Sequence, residues 1–334
     1  MQHIFAADIG GTNARFARFA CKNGRMSLEN VKWSATSSLA NADDMVETMS
    51  TLLGVGPAAG DALAVALAGS VHGLTGHLTN GNLQLDLSDA VEHYGFCRCV
   101  LLNDFVAEAY ATLSEVGGHA RHLYGPKEPG YATAPRAVVG AGTGLGAASL
   151  HWSNAPCGGF SGAAGQGNGG WVAVPSEAGH APFPFDAGEE QEYQQELSRT
   201  LNRKCVSVED VLSGRGLVRL HAFLTGRQED AATVGQEALG HSTETLQWYA
   251  RFWGRFCRSW IYTTLCTGGL WIAGGIAARN PLCVTCSEFA SELTRDMTLP
   301  DLFAHVPIWL SATTESGLWG AAYAVQDNMI TYAV

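Results

Sequence analysis

His3–Asp8 reads H-I-F-A-A-D, and it runs into Ile9-Gly10-Gly11-Thr12-Asn13; this junction decides the fold. An apolar run that meets a glycine pair predicts a strand entering a tight turn. Phe16, Ala17 and Phe19 supply a return strand, so the turn caps a hairpin. The same plan recurs downstream: Arg136–Gly140 reads as a strand, Ala141–Gly146 as a glycine turn and Ala147–His151 as the return strand.

Each hairpin is followed by strands alternating with helices. Asn41 is placed to cap a helix with Met45, Met49, Leu52 and Leu53 on one face and Gly54 at its end. Ala62–Ala68 and Cys99–Leu102 read as buried strands, and Phe105–Val116 as a helix. After the second hairpin come a Gly/Ala/Ser/Asn-rich loop at 154–170 and a strand at Trp171–Val174. A mostly helical stretch follows, then strands at Leu270–Ala273 and Val306–Leu310 and a last helix at Glu315–Val325. The expectation is an α/β protein built twice on one plan, with a cleft between the copies.

Composition narrows the class. The chain has 334 residues, which suggests about two domains, and 46% of them are hydrophobic, enough for two cores. The net charge is −11 and no Lys/Arg run occurs, which argues against nucleic acid as a partner. An anionic substrate would have to be met by backbone dipoles and Mg²⁺. Nine cysteines, scattered and odd in number, fit reduced thiols better than a disulfide framework. Cys97-x-Cys99 and Cys283-x-x-Cys286 invite a metal reading but lack the four ligands of a structural zinc site. No leader-like segment opens MQHIFAADIGG and no apolar run is long enough to span a membrane, so a cytoplasmic protein is expected.

Four motifs carry chemistry. In Asp8-Ile9-Gly10-Gly11-Thr12-Asn13 the glycines let backbone N–H groups approach phosphate, Thr12 and Asn13 add donors, and Asp8 is placed to hold Mg²⁺, directly or through water. A plain hairpin turn is the competing reading. Gly140-Ala141-Gly142-Thr143-Gly144-Leu145-Gly146 contains a loose GxGxxG. It leads into a strand rather than a helix, so it matches the first motif and not a dinucleotide fingerprint. Asn103-Asp104 ends a buried strand, where open α/β sheets put active residues; Asp104 serves there either as a general base or as a helix cap. Ser176-Glu177-Ala178-Gly179-His180 offers a carboxylate and an imidazole to vicinal hydroxyls, and is poor as a metal site. Glu209 alone reads as a first-turn acid, Thr79-Asn80 as turn chemistry, and Gly274-Gly275 as a strand end able to take a flat base.

Together these residues resemble the bacterial glucokinase family, within the hexokinase and actin-like ATPase superfamily. The matching pieces are DIGGTNAR (8–15), LTN (78–80), LLNDFVA (101–107), GAGTGLG (140–146), SEAGH (176–180), VEDVLSGRGLV (208–218) and IAGGI (272–276). The resemblance implies two actin-like, ribonuclease H-like α/β domains and transfer of the γ-phosphate of ATP to the 6-hydroxyl of glucose. It makes Asp104 the base and Asn80, Asn103, Glu177, His180 and Glu209 the sugar ligands. Gly10, Gly11, Thr12, Asn13, Gly142, Thr143 and Gly144 would meet phosphates, Gly274 and Gly275 would flank the adenosine, and Asp8 would help to place Mg²⁺.

Three departures lie near the implied sugar pocket. Ala66–Gly73 lacks a proline common in the family, Leu83 stands where an aromatic is common, and the loop 154–170 is insertion-like. The zinc-binding cysteine cluster of the related ROK kinases and repressors is missing from the sequence, which implies the zinc-free branch. A kinase for another hexose, or a sugar sensor without catalysis, are the competing functions. The implied small domain covers 1–106 completed by 316–334, and the large one 107–315. A homodimer is implied, with the Trp-rich helix near 243–266 either an interface or a core element.

Overall fold

The computed structural model describes residues 3–154, 169–295 and 299–326. Three sheets organise them. The strands are β1 (His3–Ile9), β2 (Asn13–Lys22), β3 (Arg25–Ala35), β4 (Ala62–Leu67), β5 (Gly69–His72), β6 (Thr75–Leu78), β7 (Gln84–Asp86), β8 (Arg98–Asn103), β9 (Arg121–Tyr124), β10 (Arg136–Ala141), β11 (Leu145–Ser153), β12 (Gly170–Ser176), β13 (Gly269–Ala273) and β14 (Ile308–Leu310).

The first sheet has the order β3-β2-β1-β4-β8, and the second β12-β11-β10-β13-β14-β9. In each, three consecutive strands end on one to which two later strands add in parallel: β4 and β8 beside β1, β13 and β14 beside β10. The recurrence seen in the sequence is therefore a recurrence of topology. β9 closes the second sheet antiparallel to β14. A small antiparallel sheet, β5-β6-β7, follows β4.

By its contacts the chain forms two compact units. One takes the described residues of Met1–His119, Leu150–Pro175 and Thr313–Val334; the other takes those of Ala120–Ser149 and Ser176–Ala312. The boundary drawn from sequence after residue 106 falls inside the first unit. The reason is that helix Ser316–Gln326 packs along helix Asp104–Ala111 and holds it there. Gly320 makes that packing close, since a Cβ at this position would fall on the Ala107 carbonyl.

Local signals act as expected in several places. The Asn41 side chain accepts from Asp44 N–H to start helix Ala42–Leu53, and Gly54 ends it at φ 72°. The helix after Asp104 is shorter than expected and stops at Ala111. There the Thr112 and Leu113 N–H groups take tighter bonds to the Ala109 and Tyr110 carbonyls, and the Thr112 hydroxyl also bonds Ala109. The late strand begins at Ile308 because Pro307 has no N–H to give a ladder. Residues 155–168 of the glycine-rich loop lie outside the described residues.

Helix Glu244–Thr264 runs through the core of the second unit. Leu246, Tyr249, Trp253, Phe256 and Trp260 follow one another at three and four residues, and all are buried. Fully burying one such side chain contributes about 1.5–3 kcal/mol, so this stripe is a main source of that unit's stability. The stripe itself is buried inside the unit. Cys283 lies in the same core, and Cys97 donates to the Gly60 carbonyl. Burial pushes the Cys99 thiol up to about 12.

Candidate active site

The predicted residues fall into two groups, one in each unit. In the first unit the parallel strands β1, β4 and β8 end level, with Ile9 opposite Leu67 and Leu67 opposite Asn103. Their ends carry Asp8 to Asn13, Ala68 with the small sheet, and Asn103-Asp104. Ala68 N–H donates to the Ile9 carbonyl and Thr79 N–H to the Ala68 carbonyl, which draws Thr79-Asn80 to the same edge. Asn80 packs against Gly11, whose Cβ would stand 3.5 Å from it.

The glycine turn is braced from behind. Gly10 N–H donates to the Asn13 carbonyl at 3.0 Å, Thr36 N–H to the Thr12 carbonyl at 3.0 Å, and the Thr36 hydroxyl to the Gly10 carbonyl at 2.7 Å. Gly11, Thr12 and Asn13 stay exposed. Asp8 is buried, and Arg15 Nη2 stands 2.5 Å from its Oδ2. The hairpin register puts Asp8 and Arg15 directly opposite, and Arg15 also stacks over Trp33. Burial raises the Asp8 carboxyl above the usual carboxylate range, and Arg15 partly offsets this.

Helix capping falls to Asn103, whose Oδ1 accepts from Phe105 N–H while its Nδ2 donates to the Gly69 carbonyl at 3.1 Å. Asp104 is the first residue of the helix and shares the Phe105 N–H. Burial, then the charge of Asp8, push its carboxyl up to about 7, against the lowering effect of the local N–H groups and Asn103. One turn on stands Glu108, which the sequence reading missed. The Ser316 hydroxyl donates to it at 2.6 Å, and burial pushes it to about 7 as well. Gly317 seats the last helix on Asp8, since a Cβ there would lie 2.5 Å from Asp8 Oδ2.

The second unit repeats the arrangement. Gly142 N–H donates to the Gly144 carbonyl at 2.9 Å, closing the turn between β10 and β11. Gly140 pairs with Ala273, so Gly274-Gly275 leaves the adjacent strand beside this turn; Gly274, at φ 85°, has its Cα against Ala141 with no room for a Cβ. Glu177 and His180 stand on a short exposed turn, with His180 Nε2 and Glu177 Oε2 3.6 Å apart. Ala181 to Phe183 is laced to Val206–Val208 by Phe183 N–H to the Val206 carbonyl and Val208 N–H to the Ala181 carbonyl, at 2.9 Å each. That lacing places Glu209 near the Glu177/His180 turn. Glu209 does no capping, because Ser207 and Asp210 form the capping box of its helix. Thr143 is exposed on the turn.

Leu83, one of the departures, is buried in the core of the first unit rather than exposed beside Asn80. Among the described residues no group of three His, Cys, Asp or Glu is arranged to hold a metal ion, and no helix is long and apolar enough to cross a membrane. Mg²⁺ differs from a caged metal in taking only one or two carboxylates besides substrate phosphates. Asp8, with one oxygen on Arg15, fits a cation that arrives with the nucleotide.

Solved structures share this architecture. A glucokinase from an Antarctic psychrotroph superposes with a TM-score of 0.80 at 25% identity, covering 98% of this chain and 99% of that one. A ROK family glucokinase from Streptomyces griseus, solved with glucose and AMPPNP, matches with a TM-score of 0.61 at 18% identity over 97% of this chain and 99% of that one. The fold is thus that of the actin-like ATPases. The Glucokinase family model matches residues 5–328, and the glucokinase of Hahella chejuensis is 28% identical over 98% of both chains. The chain belongs to the glucokinase family.

Proposed function

We propose that the chain transfers the γ-phosphate of ATP to the 6-hydroxyl of glucose, with Asp104 as general base. One observation carries this reading: the Asp104 carboxyl stands at the level end of three parallel strands, two strands over from the one that enters the Gly10-Gly11 turn and within reach of the Asp8 charge, with its proton affinity raised to about 7. A base with that affinity is half ionised near neutrality, where it is best matched to receive a hydroxyl proton. Asp104 accepts the 6-hydroxyl proton as the oxygen attacks phosphorus. Asn80, Asn103, Glu177, His180 and Glu209 bind the other hydroxyls, so a sugar lacking one leaves a polar group unpaired. Backbone N–H groups and side chains of Gly10–Asn13 and Gly142–Gly144 take phosphate oxygens, and Gly274-Gly275 lies along the adenosine. Mg²⁺, when bound, neutralises phosphate charge; Asp8 would help to hold it, directly or through water, and Arg15 orients the Asp8 carboxyl. The reading carries with it a cytoplasmic location and a homodimer, the second of which light scattering of the purified chain checks.

The test is ADP release with Mg-ATP and a panel of glucose, mannose, fructose and N-acetylglucosamine, for the native chain and Asp104→Asn. Loss of the base should lower turnover by about 10²–10⁴-fold while glucose still binds. Turnover on another sugar alone moves the specificity. Tight glucose binding without turnover in the native chain makes it a sensor and overturns the reading.

A further inference from the structure

Glu209 touches more than an incoming sugar would require. Leu145 N–H, in the β10–β11 turn, donates to Glu209 Oε2 at 3.0 Å. Arg215 Nη2 donates to Oε1 at 3.3 Å. The carboxylate lies on the Cα of Gly144, where a Cβ would stand 2.7 Å from Oε2. A second bond ties the same two segments, from Gly214 N–H to the Gly142 carbonyl at 2.8 Å. The Glu209 side chain is 22% exposed, so it is held yet still reachable.

From this geometry we propose that Glu209 couples sugar binding to nucleotide binding, and that Arg215 is the positioning residue that sets its carboxylate. The proposal rests on the glucokinase reading of the site. A carboxylate offers about four acceptor positions. Leu145 and Arg215 use two, and sugar hydroxyls can take the others. A hydroxyl bonded to Glu209 then stiffens the group that fixes the end of the phosphate turn. Phosphate seated on Gly142–Gly144 in turn fixes Leu145 N–H and so the carboxylate. Coupling of this kind is reciprocal, and each ligand strengthens the other by one common factor. The path lies wholly in the second unit. Arg215, 61% exposed, keeps Oε1 oriented and its charge balanced before sugar arrives.

The experiment is calorimetric titration of glucose and of AMPPNP with Mg²⁺, each alone and with the other saturating, in native protein, Gly144→Ala, Arg215→Met and Arg215→Lys. The native protein should show a coupling factor of at least about fivefold. Gly144→Ala pushes Glu209 off Leu145 N–H; it should weaken glucose alone by roughly tenfold and bring the factor to about one. Arg215→Met should weaken glucose several-fold without changing AMPPNP alone, and Arg215→Lys should recover part of the loss. A native factor of one, or Gly144→Ala weakening only AMPPNP, overturns the coupling while leaving the kinase reading intact. Should Gly144→Ala fail to fold, the Arg215 pair decides: glucose affinity unchanged in Arg215→Met overturns the proposal. A native chain that binds no glucose instead fails the kinase reading, and its turnover assay reports that separately.

Discussion

Replacing Arg255 by Met tests the reasoning about the second unit most directly. Arg255 is 3% exposed in the middle of the long helix and is ringed by acids. It donates to Glu190 at 2.6 and 3.1 Å, to Glu292 at 3.0 Å, to Asp186 at 3.0 Å and to the Pro184 carbonyl at 2.9 Å. The substitution keeps much of the side-chain volume and removes all five bonds. Glu292 retains Arg258 at 3.2 Å, and Asp186 retains Arg295. Glu190 is left buried with only the Asp186 N–H. Removing one partner of a buried pair costs about 3–5 kcal/mol, because the orphaned charge stays desolvated. Spread over a cooperative unit of about 170 residues, such a loss lowers Tm by roughly 10 °C. The assay is thermal unfolding followed by tryptophan emission, with Arg255→Met/Glu190→Gln as the control that removes the orphaned charge. The double variant should regain more than half of the lost Tm. A fall of under about 2 °C in the single variant, or no recovery in the double, would refute the argument.

Three further outcomes are expected. With Asp104 as the proposed base, ionised when it acts, and its carboxyl raised to about 7, kcat/KM should rise with pH through about 7; an acid limb near pH 4 would show that burial does not control the base. Stability should run the other way: the fold keeps protons on Asp104 and Glu108 that the unfolded chain releases near pH 4, so their contribution is full below that and is lost as pH rises through about 7, which Tm against pH reads. Gly320→Ala should destabilise the first unit by about 1–3 kcal/mol or more, since its Cβ has no room beside the Ala107 carbonyl; a denaturation midpoint equal to the native one would count against the close helix packing.

Much of the fold was legible because two signals repeat. The apolar run into Gly10-Gly11 and the strand into Gly140–Gly146 each predicted a hairpin, and the hairpins head sheets of matching order. β3 escaped notice because its residues are half exposed and polar, so it lacks a buried stripe. The small sheet β5-β6-β7 escaped because its strands are three or four residues long, and β5 and β6 each carry a Gly and a His. Arg15 was within reach of sequence reasoning: a tight turn at Gly10-Gly11 fixes the register and puts position 15 opposite position 8. Glu108 was not, because on its own helix it reads as a polar outward position, and the hydroxyl that bonds it comes from the distant Ser316.

The two units also share a device that no local pattern reveals. In the first, Asp8 rests on the Cα of Gly317, and in the second, Glu209 rests on the Cα of Gly144. Each acid belongs to the candidate site, and each glycine comes from a different element. A carboxylate seated this way gains a fixed position without giving its oxygens to side-chain packing, so they stay available to an arginine, a backbone N–H or a ligand. It also ties the acid's position to the packing of a whole element: the last helix for Asp8, the turn between β10 and β11 for Glu209. A methyl group added at either glycine therefore acts on the acid before it acts on the core. The site's tolerance to substitution is thus set at positions that carry no functional group of their own.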